Sequence, residues 1–327
     1  MPFLRERNGR LSPEKIVALL IVLYPLALLI ARALSGGFTT LEPFGIGAPG
    51  AGGPGLGAPG LGAPGLGGPG LGAPGLDGPG PALSARPLVE VIRVIGDWTI
   101  RLLLITLAVT PARRLFNWPK LLAARRTLGV GAAFYIAVHF SFYLIDTGSL
   151  TTAAREIVLR IYLTIGFVAL VGLMVLAATS WDGAIRRLGA ERWARLHMLV
   201  YPIVALGLLH FFMQQKLDVT EPTLMAGFFL WLMGWRLMQR AGHGTGFVNL
   251  VALALLAGLA TALLEAGWYL AATGVDPVRV LAANLDFSYS LRPAWWVVGT
   301  GLAIAVASSA VLRWRPLPAP RARTARA

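Results

Sequence analysis

The feature that most limits how this chain can fold is a recurrence of apolar runs, each about twenty residues long. A helix rises 1.5 Å per residue, so about twenty apolar residues cross a hydrocarbon core of roughly 30 Å. Such runs fall at 16–34, 88–110, 127–145, 157–179, 193–212, 223–238, 247–272 and 294–312. Between them, Lys and Arg cluster only at every second connection. The clusters lie at the N-terminus (Arg5, Arg7, Arg10, Lys15), at 113–126, at 186–195, at Arg236 and Arg240, and in the C-terminal tail. Basic connections stay in the cytoplasm. The alternation therefore predicts an all-α, polytopic membrane helix bundle of about eight transmembrane helices, multi-pass, with both termini cytoplasmic.

Composition supports this. Only 13% of the 327 residues are charged and 56% are hydrophobic, and the net charge of +14 sits at helix ends. Topology explains that charge, and nucleic acid is not an expected partner. The absence of cysteine excludes disulfides, thiolate metal sites, iron–sulfur clusters and covalently attached haem.

The chain divides into an N-terminal membrane helix (1–35), a Gly/Pro-rich linker (36–87), a six-helix core completed by 88–240, and a C-terminal two-helix extension with a basic tail (241–327). Residues 45–81 repeat a five-residue Pro-Gly-Leu-Gly theme, which lacks the collagen period of three. It reads as a flexible periplasmic tether or as a low-complexity insertion without a role. The second run is expected to end at Pro111, and 146–156 to form an outer loop. Arg93, Asp97 and Arg101 share one helix face, pointing into the bundle or the headgroup zone.

Ionisable groups at membrane depth are functional candidates. Three of the four histidines, His139, His197 and His210, lie inside the runs. The third and fifth runs both travel outward, which sets His139 and His210 at one level near the outer face. Two imidazoles at one depth can ligate a haem iron from both sides and leave no open position, as electron transfer requires. His197 lies thirteen residues before His210, about 20 Å away along an ideal helix, unless Pro202 kinks the segment. No histidine matches it in depth on the third helix. Arg125 and Arg126 stand there instead, beside a helix N-terminus, where a flavin phosphate or a haem propionate could bind. The same arginines also read as plain topology determinants, and each histidine as a packing residue. Arg101 reads as a propionate partner or as a snorkelling side chain. His243 sits in a glycine-rich loop and reads as a surface residue.

Four blocks carry a family likeness: 107–115 (LAVTPARRL), 125–129 (RRTLG), 137–143 (AVHFSFY) and 193–201 (WARLHMLVY) continuing to His210. Together they resemble the MsrQ (YedZ) family, in the ferric-reductase-like transmembrane group, over roughly 88–240 and more loosely over the first helix. The resemblance implies heme b (with His139, His197 and His210 matching the family's haem histidines), FMN and a cell inner membrane location. It also implies a heterodimer with MsrP, the periplasmic molybdopterin catalytic subunit that reduces methionine sulfoxide. The donor it implies is the quinone pool or a cytoplasmic flavin reductase, and the catalytic site would lie on the partner. Two alternatives remain at this stage: a transmembrane ferric or quinone reductase with another partner, and a transporter or scaffold without haem.

Overall fold

In a computed structural model the described residues are 11–34, 87–215, 218–288 and 290–315. The linker, both basic termini and their expected roles lie outside them. Twelve α-helices occur among the described residues. They are α1 (Pro13–Leu34), α2 (Pro87–Leu115), α3 (Ala124–Thr147), α4 (Leu150–Leu159), α5 (Ile161–Ala178), α6 (Asp182–Leu188), α7 (Ala190–His197), α8 (Val200–Gln214), α9 (Thr220–Arg240), α10 (Phe247–Thr273), α11 (Pro277–Ala283) and α12 (Pro293–Trp314). A 3₁₀ turn, Pro119–Ala123, precedes α3.

Six segments are long and apolar enough to cross a bilayer, with α7 and α8 together making one of them. The long helices α2 and α9 carry more charge and complete the eight expected crossings. Leucines along α10, among them Leu255, Leu256, Leu259 and Leu263, are exposed. A stripe this apolar is untenable against water but suits lipid. The chain is a multi-pass membrane protein.

Helices α2, α3, α5 and α8 close a ring, with α1 outside α3 and α9 against α2 and α8. Helices α10 and α12 pack on one another and on α9. At the end of this C-terminal group where α10 finishes and α12 starts, the buried Glu265 accepts from Arg292 Nη1 at 3.0 Å and from Asn284 Nδ2 at 3.1 Å. This ties α11 and the start of α12 to α10.

Two prolines inside spans are stitched by distant side chains. In α1, Pro25 opens the backbone ladder. The Tyr135 hydroxyl of α3 enters the gap, donating to Val22 O at 2.7 Å and accepting from Leu26 N at 3.1 Å. In α2, Pro111 has no N–H for the carbonyl four residues earlier. Arg236 of α9 donates Nη2–H to that Leu107 oxygen at 2.7 Å. The expected end of the helix at Pro111 is thus corrected: α2 continues to Leu115, because the orphaned carbonyl finds a donor.

Two further expectations change. The 146–156 loop is mostly α4, started by Ser149 accepting from Thr152 N, and it is separated from α5 by the extended Arg160. The fifth run is broken at Met198–Leu199. Pro202 supplies no N–H there, and the local bonds tighten to Leu199 N→Leu196 O and Tyr201 N→Met198 O.

Candidate functional site

The four-helix ring encloses a cavity of about 560 Å³ toward the end of the bundle where α2 and α5 begin and α3 and α8 end, within the range of roughly 300–1,000 Å³ that ligand sites occupy. His139 of α3 and His210 of α8 both line it. The shared level expected from topology therefore becomes a shared site. His139 Nδ1 meets Ile92 O of α2 at 2.8 Å, and His210 Nδ1 meets Tyr162 O at the start of α5, also at 2.8 Å. A carbonyl oxygen only accepts, so in the neutral ring Nδ1 carries the proton and Nε2 keeps its lone pair. No hydrogen bond engages either Nε2 among the described residues. A backbone acceptor behind the ring and a free lone pair in front is how a protein presents an imidazole to a metal.

Each ring also lies against a glycine. A Cβ built at Gly96 would sit 3.1 Å from His139 Cε1, and one at Gly166 would sit 2.7 Å from His210 Nδ1. Only a bare backbone permits these approaches. Neither glycine was legible as a site residue, since nothing in its sequence neighbourhood marks which ring it will face.

The cavity has an apolar end toward the middle of the bundle, including Ile100, Ile136, Leu170 and Gly207, and a polar end toward the helix termini, including Arg93, Tyr143, Glu156, Arg160 and Gln214. Asp97, half-buried, and Arg93, exposed, both line the cavity from the same face of α2. Arg101 does not line the cavity. It pairs with Glu221 of α9 at 2.7 Å and lies over Trp98.

His197 belongs to a separate place. It ends α7, stacks on Trp193 at 3.9 Å, and sets Nδ1 3.1 Å from Trp193 O and Nε2 3.3 Å from Ser180 Oγ. Arg125 is half-buried and within electrostatic reach of His197, Tyr201 and Arg236. The exposed Arg126 turns to Asp182 at 2.6 Å. The structure thus brings His139 and His210 together, and His197 with Arg125, while Arg126 and Arg101 each engage a carboxylate. His243 is exposed in its loop.

A helical membrane bundle that presents two lone-pair imidazoles from neighbouring spans into one internal cavity has the architecture of a transmembrane redox component. A family model described as ferric reductase like transmembrane component matches residues 95–208, a range that includes His139 and ends two residues before His210. The chain belongs to the MsrQ family. It is 48% identical over 161 residues to the protein-methionine-sulfoxide reductase heme-binding subunit MsrQ of Xanthomonas campestris pv. campestris strain 8004, covering 49% of this chain and 73% of that protein. The subunit of the same name from Rhodospirillum rubrum is 41% identical over 164 residues, covering 49% and 77%. No solved structure matches the chain.

Proposed function

We propose that the chain is the haem-carrying, electron-transferring membrane subunit of a protein-methionine-sulfoxide reductase, in which His139 and His210 would hold the iron of a b-type haem. The observation that carries this is the pair of imidazoles, each backed by a carbonyl and each with Nε2 free toward one cavity. The glycine cradles and apolar floor fit a flat, mostly apolar macrocycle. Bound there by two imidazoles, the haem would supply a one-electron couple suited to electron transfer rather than oxygen chemistry.

The chain's own residues do the remaining work. Ile92 and Tyr162 hold each ring in one tautomer and orientation. Ile100, Ile136 and Leu170 keep water from the inner side of the cavity. On the cytoplasmic side, Arg125 and His197 form the entry region, where Arg125, with Arg126 behind it, offers positive charge to an anionic group such as the FMN phosphate. The electron donor is the quinone pool or a cytoplasmic flavin reductase. The acceptor is an MsrP-like periplasmic molybdopterin subunit docked on the outer face, which holds the catalytic site. The membrane is the bacterial inner membrane with both termini cytoplasmic. The core completed by 88–240 carries the redox site, and 241–327 is an extension whose helices α10 and α12 pack on α9.

A pyridine haemochrome assay on the purified chain tests the reading. Protohaem is expected in the wild type, and His139→Ala and His210→Ala are each expected to remove the Soret band. A colourless wild-type protein, or an unchanged spectrum in either variant, rejects it.

A further inference from the structure

We infer that the haem sits with its propionate edge facing the outer membrane surface, held by Arg93 and Arg160. This rests on the haem reading above and adds an orientation and two ligand-holding side chains to it. The macrocycle has one edge with two carboxylates and an otherwise apolar rim. The cavity has the matching asymmetry. Its inner end, with Ile100, Ile136 and Leu170, offers no cation, whereas Arg93 of α2 and Arg160 before α5 line the outer end from different helices. An isolated carboxylate among aliphatic side chains would face a large desolvation penalty, so the inward orientation is excluded on charge alone.

Among the described residues, these two guanidiniums are the cationic side chains that line the cavity. Each already meets a carboxylate of its own neighbourhood, Arg93 with Glu90 at 3.1 Å and Arg160 with Glu156 at 3.1 Å. Both arginines are more than half exposed and their glutamates about a third, and pairs so open to solvent hold weakly. A guanidinium has five N–H donors, so each arginine can keep its present partner while donating to a propionate. Asp97, Asp146 and Glu156 also line the cavity, and without the arginines a dianionic edge would meet only like charge there. Arg101, Arg125 and Arg126 are not needed for this edge, since none of them lines the cavity.

The test is titration of full-length protein, stripped of haem in detergent, with hemin and with hemin dimethyl ester, following the Soret band. Gel filtration confirms the fold of each sample. Wild type is expected to bind hemin at least tenfold more tightly than the ester. Arg93→Gln with Arg160→Gln is expected to bring hemin affinity down toward that of the ester while leaving the ester's own affinity unchanged. Arg93→Lys with Arg160→Lys should recover part of the preference, because charge is kept. Equal wild-type affinity for the two forms overturns the orientation and leaves the haem reading standing. A loss of ester binding in the glutamine variant as large as that of hemin also overturns it. Failure of wild type to bind either form removes the haem reading and the orientation with it.

Discussion

Gly166→Ala isolates the close approach that seats His210. A Cβ at this position lies 2.7 Å from Nδ1 and 2.8 Å from Cε1. Ordinary contact begins at about 3.5 Å, so the ring must retreat by roughly 0.8 Å. That retreat pulls directly on the 2.8 Å bond to Tyr162 O, which fixes the tautomer. At Gly96 the nearest approach is 3.1 Å, and a retreat of roughly 0.4 Å suffices. Losing the group that orients a metal-bound imidazole typically lowers affinity about 10- to 100-fold, or about 1.4–2.7 kcal/mol. Gly166→Ala is expected in that range and Gly96→Ala below it. Replacing glycine by alanine inside a helix otherwise favours the helix by up to about 1 kcal/mol, so a global fold defect is not expected. The assay is haem content per protein and Soret titration of both variants, with thermal unfolding as the control for fold. Wild-type haem affinity in Gly166→Ala, or a larger loss in Gly96→Ala, refutes the reasoning.

Three further outcomes follow from the same geometry. Arg236→Met leaves Leu107 O facing Pro111 without a donor and should lower stability by about 1–3 kcal/mol, read as a drop in the thermal midpoint of detergent-solubilised protein; an unchanged midpoint counts against the stitch. Tyr135→Phe removes the hydroxyl bridging Val22 O and Leu26 N and should cost about 0.5–1.5 kcal/mol, with faster proteolysis of α1 as the sensitive readout. His197→Ala should keep the Soret band of the His139–His210 site, since His197 lies outside that cavity; complete loss of haem would place it among the structural supports of the pair.

The positions of the spans and the depth of their histidines were legible because both depend on local composition. Apolar length sets the crossings, and the alternation of basic connections sets which helix ends share a side. Those two rules put His139 and His210 at one height before any packing was known. Arg93 and Asp97 were legible as a face, though not as cavity residues. The run through Pro111 was not legible, because the donor that rescues it, Arg236, comes from α9. The helix inside 146–156 was missed for a related reason. Its Ala153 is buried against the bundle, whereas the segment's own sequence reads as polar and mixed.

The sequence alone therefore determined the membrane, the bundle of about eight spans, and the shared level of the paired imidazoles, because these follow from transfer free energy along the chain. Tertiary structure alone decided which ring nitrogen stays free, which glycines admit the rings, and which arginines line the site. Those outcomes depend on contacts of a few ångströms between helices far apart in sequence, and no local pattern encodes such distances.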